Sequence, residues 1–271
     1  MGRFLFFAPL LLVLAACEPA SPPEEGGLSG PGLYIALGDS LSEGVGASDR
    51  DTTAFVSLVH SRLGEGWQLV NLARSGHTSE DLVDSGYVDA AAALVGYRNG
   101  DDDPDNDAKL VTLEIGGNDL LNLFDDLVLS GTCPGLKEFL AEPECVDTLR
   151  QTLERFQPTL SLALDRLQEV DSEVPIVVMT LYNPLSGGIG LAAVDAIEQL
   201  AEMSLEGLPD TPFPEGLNDI IRRETEERNL ILVDPYPLFE SKANEYIAHD
   251  FIHPNDGGHE VVAEAVLEAV R

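Results

Sequence analysis

The sequence has few basic residues, since 15 Lys and Arg stand against 48 Asp and Glu, for a formal net charge of −33. Binding of nucleic acid depends on Lys and Arg side chains that neutralise phosphates. Electrostatic adhesion to anionic lipid depends on the same side chains. The composition therefore argues against both kinds of partner. With 44% hydrophobic residues, the chain still has enough apolar side chains to form a core of ordinary size.

The sequence also lacks an apolar run of the roughly 20 residues that a transmembrane helix needs. The run Phe4–Ala16 is shorter, follows Arg3 and ends in Leu-Ala-Ala-Cys17, which resembles a secretory signal peptide with the lipobox of bacterial lipoproteins. We expect a signal peptide over residues 1–16, lipidation of Cys17, and a protein exported and lipid-anchored at the cell envelope. The alternative is an ordinary signal with a chance cysteine. Residues 17–32 are rich in Pro, Gly and Glu and predict a flexible tether.

Cysteine is scarce, with three residues in 271. Besides Cys17 there are Cys133 and Cys145, an even pair in a chain that we expect to be exported. Export leads to oxidising compartments, so we predict a disulfide between them, with two free thiols as the alternative. Two cysteines without clustered histidines make a poor zinc site.

From Leu33 onward, short apolar runs alternate with longer helical patterns. This alternation is typical of strand–helix units around a mainly parallel sheet, in one domain over residues 33–271. The candidate strands are Leu33–Leu37, Gln68–Leu72, Leu110–Ile115, Ile176–Leu181 and Leu230–Val233. Apolar residues at steps of three and four predict helices around Phe55–Leu63, Leu149–Leu167 and Val261–Ala269. Pro158 lies inside the second of these patterns, and we expect it to kink or divide that helix.

Small and polar residues follow the predicted strands, at the edge where parallel sheets bind ligands. The segments are Gly38-Asp39-Ser40-Leu41-Ser42, Ala73-Arg74-Ser75-Gly76, and Gly116-Gly117-Asn118-Asp119. A further segment, Asp250-Phe251-Ile252-His253, precedes the last helix and places a carboxylate three residues from an imidazole. Ser40 could merely cap the next helix. Together, however, the four segments offer a serine, a base, a group that orients the base, and donors for an oxyanion.

These four segments, in this order, resemble the sequence blocks of the SGNH hydrolases, also called the GDSL esterase/lipase family. The resemblance covers about residues 33–271 and implies a three-layer α/β/α sandwich with a mainly parallel, five-stranded, flavodoxin-like sheet. It implies that Ser40 is the nucleophile, His253 the general base and acid, and Asp250 the residue that orients His253. The backbone N–H groups of Ser40 and Gly76 and the side-chain amide of Asn118 correspond to the oxyanion hole.

The remaining polar residues of these segments have structural interpretations. Asp39 adjoins Ser40, but neighbours along the chain usually point apart, so we expect Asp39, like Asp119, to support the site. His60, His249 and His259 are also interpreted as packing or supporting residues. For His77, contact with substrate and a structural role both remain open.

The acidic run Asp101–Asp107 can be aligned with a calcium-binding loop. Its acidic spacing would put Glu114 at the last ligand position, but Ala108 stands where such loops have glycine, and Glu114 lies in a predicted buried strand. A solvated loop is the better interpretation. We expect no cofactor and no metal.

The sequence therefore predicts a monomeric serine esterase or lipase that cleaves carboxylic esters through an acyl-Ser40 intermediate. Fatty-acyl, lysophospholipid and short-chain esters all remain candidate substrates, and the pocket is expected to come from residues 122–144 and 183–216. A carbohydrate acetylesterase or an acyltransferase would use the same residues. A lipoprotein that binds ligands without turnover is the alternative of another class.

Overall fold

The computed structural model describes residues 28, 30–187 and 192–271. The predicted signal peptide, Cys17 and the tether as far as residue 27 lie outside the described residues. So do residues 188–191 of the second predicted pocket segment. The described chain forms five strands, which are β1 Leu33–Gly38, β2 Gln68–Asn71, β3 Ala108–Glu114, β4 Ile176–Met179 and β5 Ile231–Val233. All five match the predicted strands to within a few residues.

The five strands form one parallel sheet in the order β2-β1-β3-β4-β5. Leu33 pairs with Gln68 on one side and with Ala108 on the other, so β1 is a central strand. Its six residues are all buried, as expected for a strand covered by helices on both faces. This order is the flavodoxin-like order, and the predicted fold class is confirmed.

Twelve helices of the described residues surround the sheet. They are α1 Ser40–Glu43, α2 Phe55–Leu63, α3 Ser79–Asp84, α4 Tyr87–Arg98, α5 Gly117–Phe124, α6 Leu136–Ala141, α7 Pro143–Gln168, α8 Ala192–Glu206, α9 Leu217–Glu227, α10 Tyr236–Phe239, α11 Ala243–Tyr246 and α12 Asp256–Ala269. A π-helical segment, Asp125–Leu129, continues α5. None of the helices in this part of the chain combines the length and apolarity that a membrane crossing requires.

The alternation of side chains along β1 divides the core into two layers. Leu33, Ile35 and Leu37 lie in the layer formed with α4, α5, α7 and α9. Tyr34 and Ala36 lie in the opposite layer, formed with α2 and α12. Helices therefore cover both faces of the sheet. Loops lie at the two edges where the strands begin and end.

Helix α7 differs from the sequence prediction. It runs unbroken for 26 residues through Pro158, so the predicted division at that residue is wrong. A proline inside a helix costs about 3 kcal/mol because it removes one hydrogen bond and crowds the preceding turn. Phe156 and Leu160 are buried on either side of Pro158, and burying each contributes about 1.5–3 kcal/mol. Packing therefore holds the helix together across the proline.

The predicted disulfide between Cys133 and Cys145 is present and fully buried. Cys145 belongs to α7, and the N–H of Cys133 donates to the carbonyl of Leu127 at 2.8 Å. The bridge thus ties the π-helical segment to the longest helix.

The described chain enters and leaves the fold at one edge of the sheet. Leu28 donates its N–H to the carbonyl of Val270 at 3.4 Å, and Leu33, the first residue of β1, donates to the carbonyl of Asp107 at 2.7 Å. Because all strands are parallel, this is the amino-terminal edge. The loops that follow the strands lie at the opposite edge.

Candidate active site

Ser40, His253 and Asp250 form a continuous hydrogen-bonded chain at the carboxyl edge of the sheet. The Ser40 Oγ lies 2.8 Å from His253 Nε2, and His253 Nδ1 lies 2.7 Å from Asp250 Oδ2. The carboxylate accepts the Nδ1 proton, which leaves Nε2 unprotonated and able to accept the proton of the serine. The arrangement is that of a nucleophile, a base and an orienting acid.

The loop that carries Asp250 and His253 is held at both ends. Ile247 and Pro254 form an antiparallel bridge, and the N–H of Ala248 donates to the carbonyl of His253 at 2.8 Å. Tyr182, which is stacked on a buried phenylalanine, donates its hydroxyl to the carbonyl of Ile252 at 2.8 Å. These contacts fix the backbone on which the base is mounted.

Asp250 is fixed by three N–H donors. Its carboxylate accepts from the His253 ring, from the His253 N–H at 3.0 Å and from the Ile252 N–H at 3.1 Å. Partial burial tends to raise the pKa of Asp250, but these hydrogen bonds outweigh it and hold the pKa below its ordinary value. Asp250 therefore stays ionised at neutral pH and can stabilise a protonated His253.

A tight turn positions the nucleophile. Gly38 ends β1 with a φ of +143°, and a Cβ at this residue would meet the carbonyl of Glu114 and the hydroxyl of Ser42. Ser40 is the first residue of α1, and Asp39 caps this helix by accepting the Leu41 N–H at 3.2 Å. The N–H at the first helical position has no intrahelical acceptor, so that of Ser40 can serve an oxyanion.

The other two predicted oxyanion donors, Gly76 and Asn118, differ in their surroundings. Gly76 lies in the exposed turn after β2 with a φ of +83°, and no atom lies within 4 Å of where its Cβ would be. Backbone conformation, rather than crowding, therefore requires glycine there. Asn118 donates its side-chain N–H groups to His77 O at 2.9 Å and to Asp39 Oδ2 at 3.1 Å. To bind an oxyanion, Asn118 must release one of these acceptors.

Glu43, which the sequence analysis did not single out, ties the Gly76 turn to the nucleophile helix. Its Oε2 accepts the N–H of Ser75 at 2.7 Å. This hydrogen bond, with a contact from Arg50, lowers the pKa of Glu43. The sequence held no signal for this contact, because 32 residues separate the partners.

Asp39 and Glu114 form a buried pair of carboxyl groups beneath the nucleophile. Both side chains are almost fully buried, and burial is the main cause that raises the pKa of Asp39 to about 6 and that of Glu114 well above its ordinary value. The nearby charge of Asp39 raises the pKa of Glu114 further. The two buried carboxyl groups therefore resist being ionised together, and Asp39, whose pKa is raised less, is the first to lose its proton.

Asp39 also contacts the nucleophile, contrary to the expectation that neighbouring side chains point apart. Its Oδ1 lies 3.3 Å from the Ser40 Oγ, a longer contact than the one between Ser40 and His253. The same carboxylate reaches Leu41 and Asn118. Asp39 thus joins the nucleophile helix to α5, which carries Asn118.

Two further predicted residues lie next to the site. Asp119 accepts the N–H and the hydroxyl of Ser79 at 2.9 and 2.7 Å and so links α5 to α3. The ring of His77 packs against Tyr87 with 5.4 Å between ring centroids, and its carbonyl is the acceptor for Asn118. Both residues support the donors of the site in this arrangement.

The remaining histidines make no side-chain hydrogen bond to Ser40, His253 or Asp250, which together form the reacting group. His60 Nε2 lies 3.0 Å from the carbonyl of Trp67. His259 is buried, and its Nε2 lies 3.0 Å from the carbonyl of Val45; burial lowers its pKa. His249 is exposed on the turn before Asp250. Within the described residues, no group of three or more His, Cys, Asp or Glu side chains is arranged to hold a metal ion.

A cavity of about 220 Å³ opens beside Ser40 and His253. Its walls are mainly apolar and come from both segments that the sequence analysis named as pocket formers. The first segment contributes Phe124, Val128 and Leu129, the second contributes Leu185, Ile197, Ala201 and Leu205, and Leu120, Leu121 and Leu181, just before these segments, also line the cavity. The site therefore combines a polar reacting group with an adjoining apolar cavity.

Comparison with known proteins gives consistent results. A sequence model of the GDSL-like Lipase/Acylhydrolase family matches residues 36–261. The chain is 22% identical to the uncharacterized protein YpmR of Bacillus subtilis, over 99% of this chain and 95% of that protein. It is 23% identical to the spore germination lipase LipC of Bacillus licheniformis, over 87% and 95% of the two chains.

Among solved structures, the fold is similar to that of the lipase Lip_vut3 from a goat rumen metagenome. The two share 21% sequence identity with a TM-score of 0.59, and the match covers 88% of this chain and 96% of the other. At this level of identity the likeness concerns the fold.

Proposed function

The chain belongs to the GDSL-like lipase/acylhydrolase family, and from this premise we propose that it is a serine ester hydrolase acting through an acyl-Ser40 intermediate. The observation that carries the proposal is the hydrogen-bonded chain from Ser40 through His253 to Asp250, with contacts of 2.8 and 2.7 Å.

The reaction has two halves. In the first, His253 Nε2 takes the proton of Ser40 as Oγ bonds to the ester carbonyl carbon, and the oxyanion is held by N–H donors at Ser40, Gly76 and Asn118. The tetrahedral intermediate expels the alcohol, which receives the proton from His253 and leaves Ser40 acylated. In the second half, water gives a proton to His253 while its oxygen bonds to the acyl carbon. The bond to Ser40 Oγ then breaks, Oγ takes the proton back from His253, and the carboxylic acid leaves.

We assign the apolar cavity to the acyl chain of the substrate. Its walls of Leu, Ile, Val and Phe side chains offer little to a sugar, whose hydroxyl groups need hydrogen-bond partners when they are buried. They suit a hydrocarbon chain, which gains about 0.8 kcal/mol for each buried methylene. This favours fatty-acyl esters over acetylated carbohydrates.

The proposal is tested with p-nitrophenyl esters from acetate to palmitate, on the wild-type chain and on Ser40→Ala. We expect hydrolysis by the wild type and its loss in Ser40→Ala. Ser42→Ala is the matched control, because Ser42 belongs to the same sequence motif but is fully buried and does not line the cavity. Equal activity of wild type and Ser40→Ala would refute the proposal.

Labelling with a fluorophosphonate separates the hydrolase from a ligand-binding lipoprotein. An activated serine forms a covalent adduct, which mass spectrometry of the peptide containing Ser40 detects. A folded wild-type chain whose Ser40 stays unmodified would favour the binding protein instead.

We also propose that the protein is exported, lipid-anchored through Cys17, and monomeric. The support for the anchor is the sequence alone, namely Arg3, the apolar run Phe4–Ala16 and the Leu-Ala-Ala-Cys17 ending. Metabolic labelling with a radioactive fatty acid should mark the wild type and not Cys17→Ser. Size-exclusion chromatography of the protein in detergent, coupled to light scattering, measures its molar mass and so tests whether it is a monomer.

A further inference from the structure

Phe251 combines two unusual features. It has a φ of +63°, in the left-handed region that bulky side chains avoid, and its side chain is 60% exposed. Three other non-glycine residues of the described chain have a positive φ, and they are the small polar residues Asp210, Asn229 and Ser241. Phe251 is therefore the one bulky apolar residue among the described residues in this conformation.

The backbone conformation of Phe251 is explained by the turn that it occupies. The turn lets the carboxylate of Asp250 accept the N–H groups of Ile252 and His253. Glycine or asparagine would adopt the same conformation with less strain. The turn therefore explains the φ but gives no reason for an aromatic ring at this residue.

The position of the ring supplies that reason. Six large hydrophobic side chains are exposed among the described residues, and a single exposed one needs no explanation. Two of them, Phe251 and Leu129, line the cavity beside Ser40. Leu129 is 72% exposed and ends the π-helical segment. Both residues therefore combine contact with the cavity and contact with solvent, as expected of side chains at its mouth.

We propose that Phe251, with Leu129, determines chain-length specificity by covering the part of an acyl chain that extends beyond the cavity. This inference rests on the proposed ester hydrolysis. A long acyl chain removes the ring and its own outer methylenes from water together, whereas a short chain ends inside the cavity and does not reach the ring. The protein would then prefer medium- and long-chain esters to short ones.

The test compares p-nitrophenyl decanoate with p-nitrophenyl butyrate, using the full chain. Phe251→Asn removes the ring but suits the left-handed backbone. We expect the ratio of kcat/KM for decanoate to that for butyrate to fall about fivefold, chiefly through KM for decanoate, because about half of a phenylalanine's burial is lost. Phe251→Tyr keeps the ring and should keep the ratio.

Tyr97→Ser is the control for a general loss of exposed apolar surface, since Tyr97 is 73% exposed and does not line the cavity. An unchanged ratio in Phe251→Asn overturns the inference. Equal losses on both esters also overturn it, because they would show that Phe251 acts only through the loop of Asp250 and His253. If the wild type hydrolyses neither ester and a fluorophosphonate leaves Ser40 unmodified, the proposed function itself fails, which is a distinguishable result.

Discussion

Replacing Glu114 by glutamine should make the folded protein less sensitive to alkaline pH. Burial and the charge of Asp39 raise the pKa of Glu114 well above 4.5 in the folded state, whereas the unfolded chain releases the proton near 4.5. Above pH 4.5 the folded state thus holds one proton more than the unfolded state. Its stability falls as the pH rises, until the folded carboxyl also ionises. Glu114→Gln has no such proton and no such loss.

The size of the effect follows from one proton. Each pH unit changes the difference in unfolding free energy between Glu114→Gln and wild type by about 1.4 kcal/mol, in favour of the variant. Between pH 6.5 and 8 the change is at most about 2 kcal/mol, or about 6 °C in the difference of melting temperatures, and it reaches this limit when the folded carboxyl keeps its proton over the whole interval. Urea unfolding of both proteins at the two pH values, with the disulfide oxidised, measures it.

The reasoning fails if the difference between Glu114→Gln and wild type is the same at both pH values, since Glu114 would then be ionised in the folded state. Glu173→Gln, which alters an exposed glutamate, is the control and should show no such change. Esterase activity of Glu114→Gln at pH 6.5 should stay close to wild type, because glutamine has the shape of a protonated glutamate and its amide can donate a hydrogen bond to the neighbouring Asp39 carboxylate.

Two further predictions concern the donors and the disulfide. Asn118→Ala should lower kcat by about 10²–10³-fold, the usual cost of one oxyanion donor; an unchanged kcat on p-nitrophenyl esters would remove Asn118 from the oxyanion hole. Replacing both Cys133 and Cys145 by serine should lower the free energy of unfolding by about 3 kcal/mol, because the bridge closes a loop of about 13 residues; equal urea midpoints with and without the bridge would contradict this.

The sequence predicted the parts of the fold that depend on local patterns. The apolar runs located all five strands, and the even pair of cysteines located the disulfide. The residues of the reacting group followed from the resemblance of four short segments, and the structure brings Ser40, His253 and Asp250 into contact. Patterns of this kind depend on residues that are close in sequence, so they can be read without knowing which distant residues come into contact.

What the sequence could not predict depends on contacts between distant residues. The sequence predicts that Glu114 lies in a buried strand, but no local pattern indicates that Asp39 lies beside it. The contact of Glu43 with Ser75 likewise joins residues that are far apart in the sequence. Pro158 shows the reverse case, in which a local rule predicts a kink or a division and the helix, packed against the core on both sides of the proline, is not divided.

The contact between Leu28 and Val270 has a practical consequence for anyone who handles this protein. The two ends of the described chain meet at the amino-terminal edge of the sheet, and the reacting serine lies at the other edge. In a protein shortened to begin near Leu28, an affinity tag, a fusion partner or a solid support attached at either end would lie away from the substrate entrance. A short linker joining the two ends should also allow new termini to be opened in a surface loop, giving a circularly permuted hydrolase.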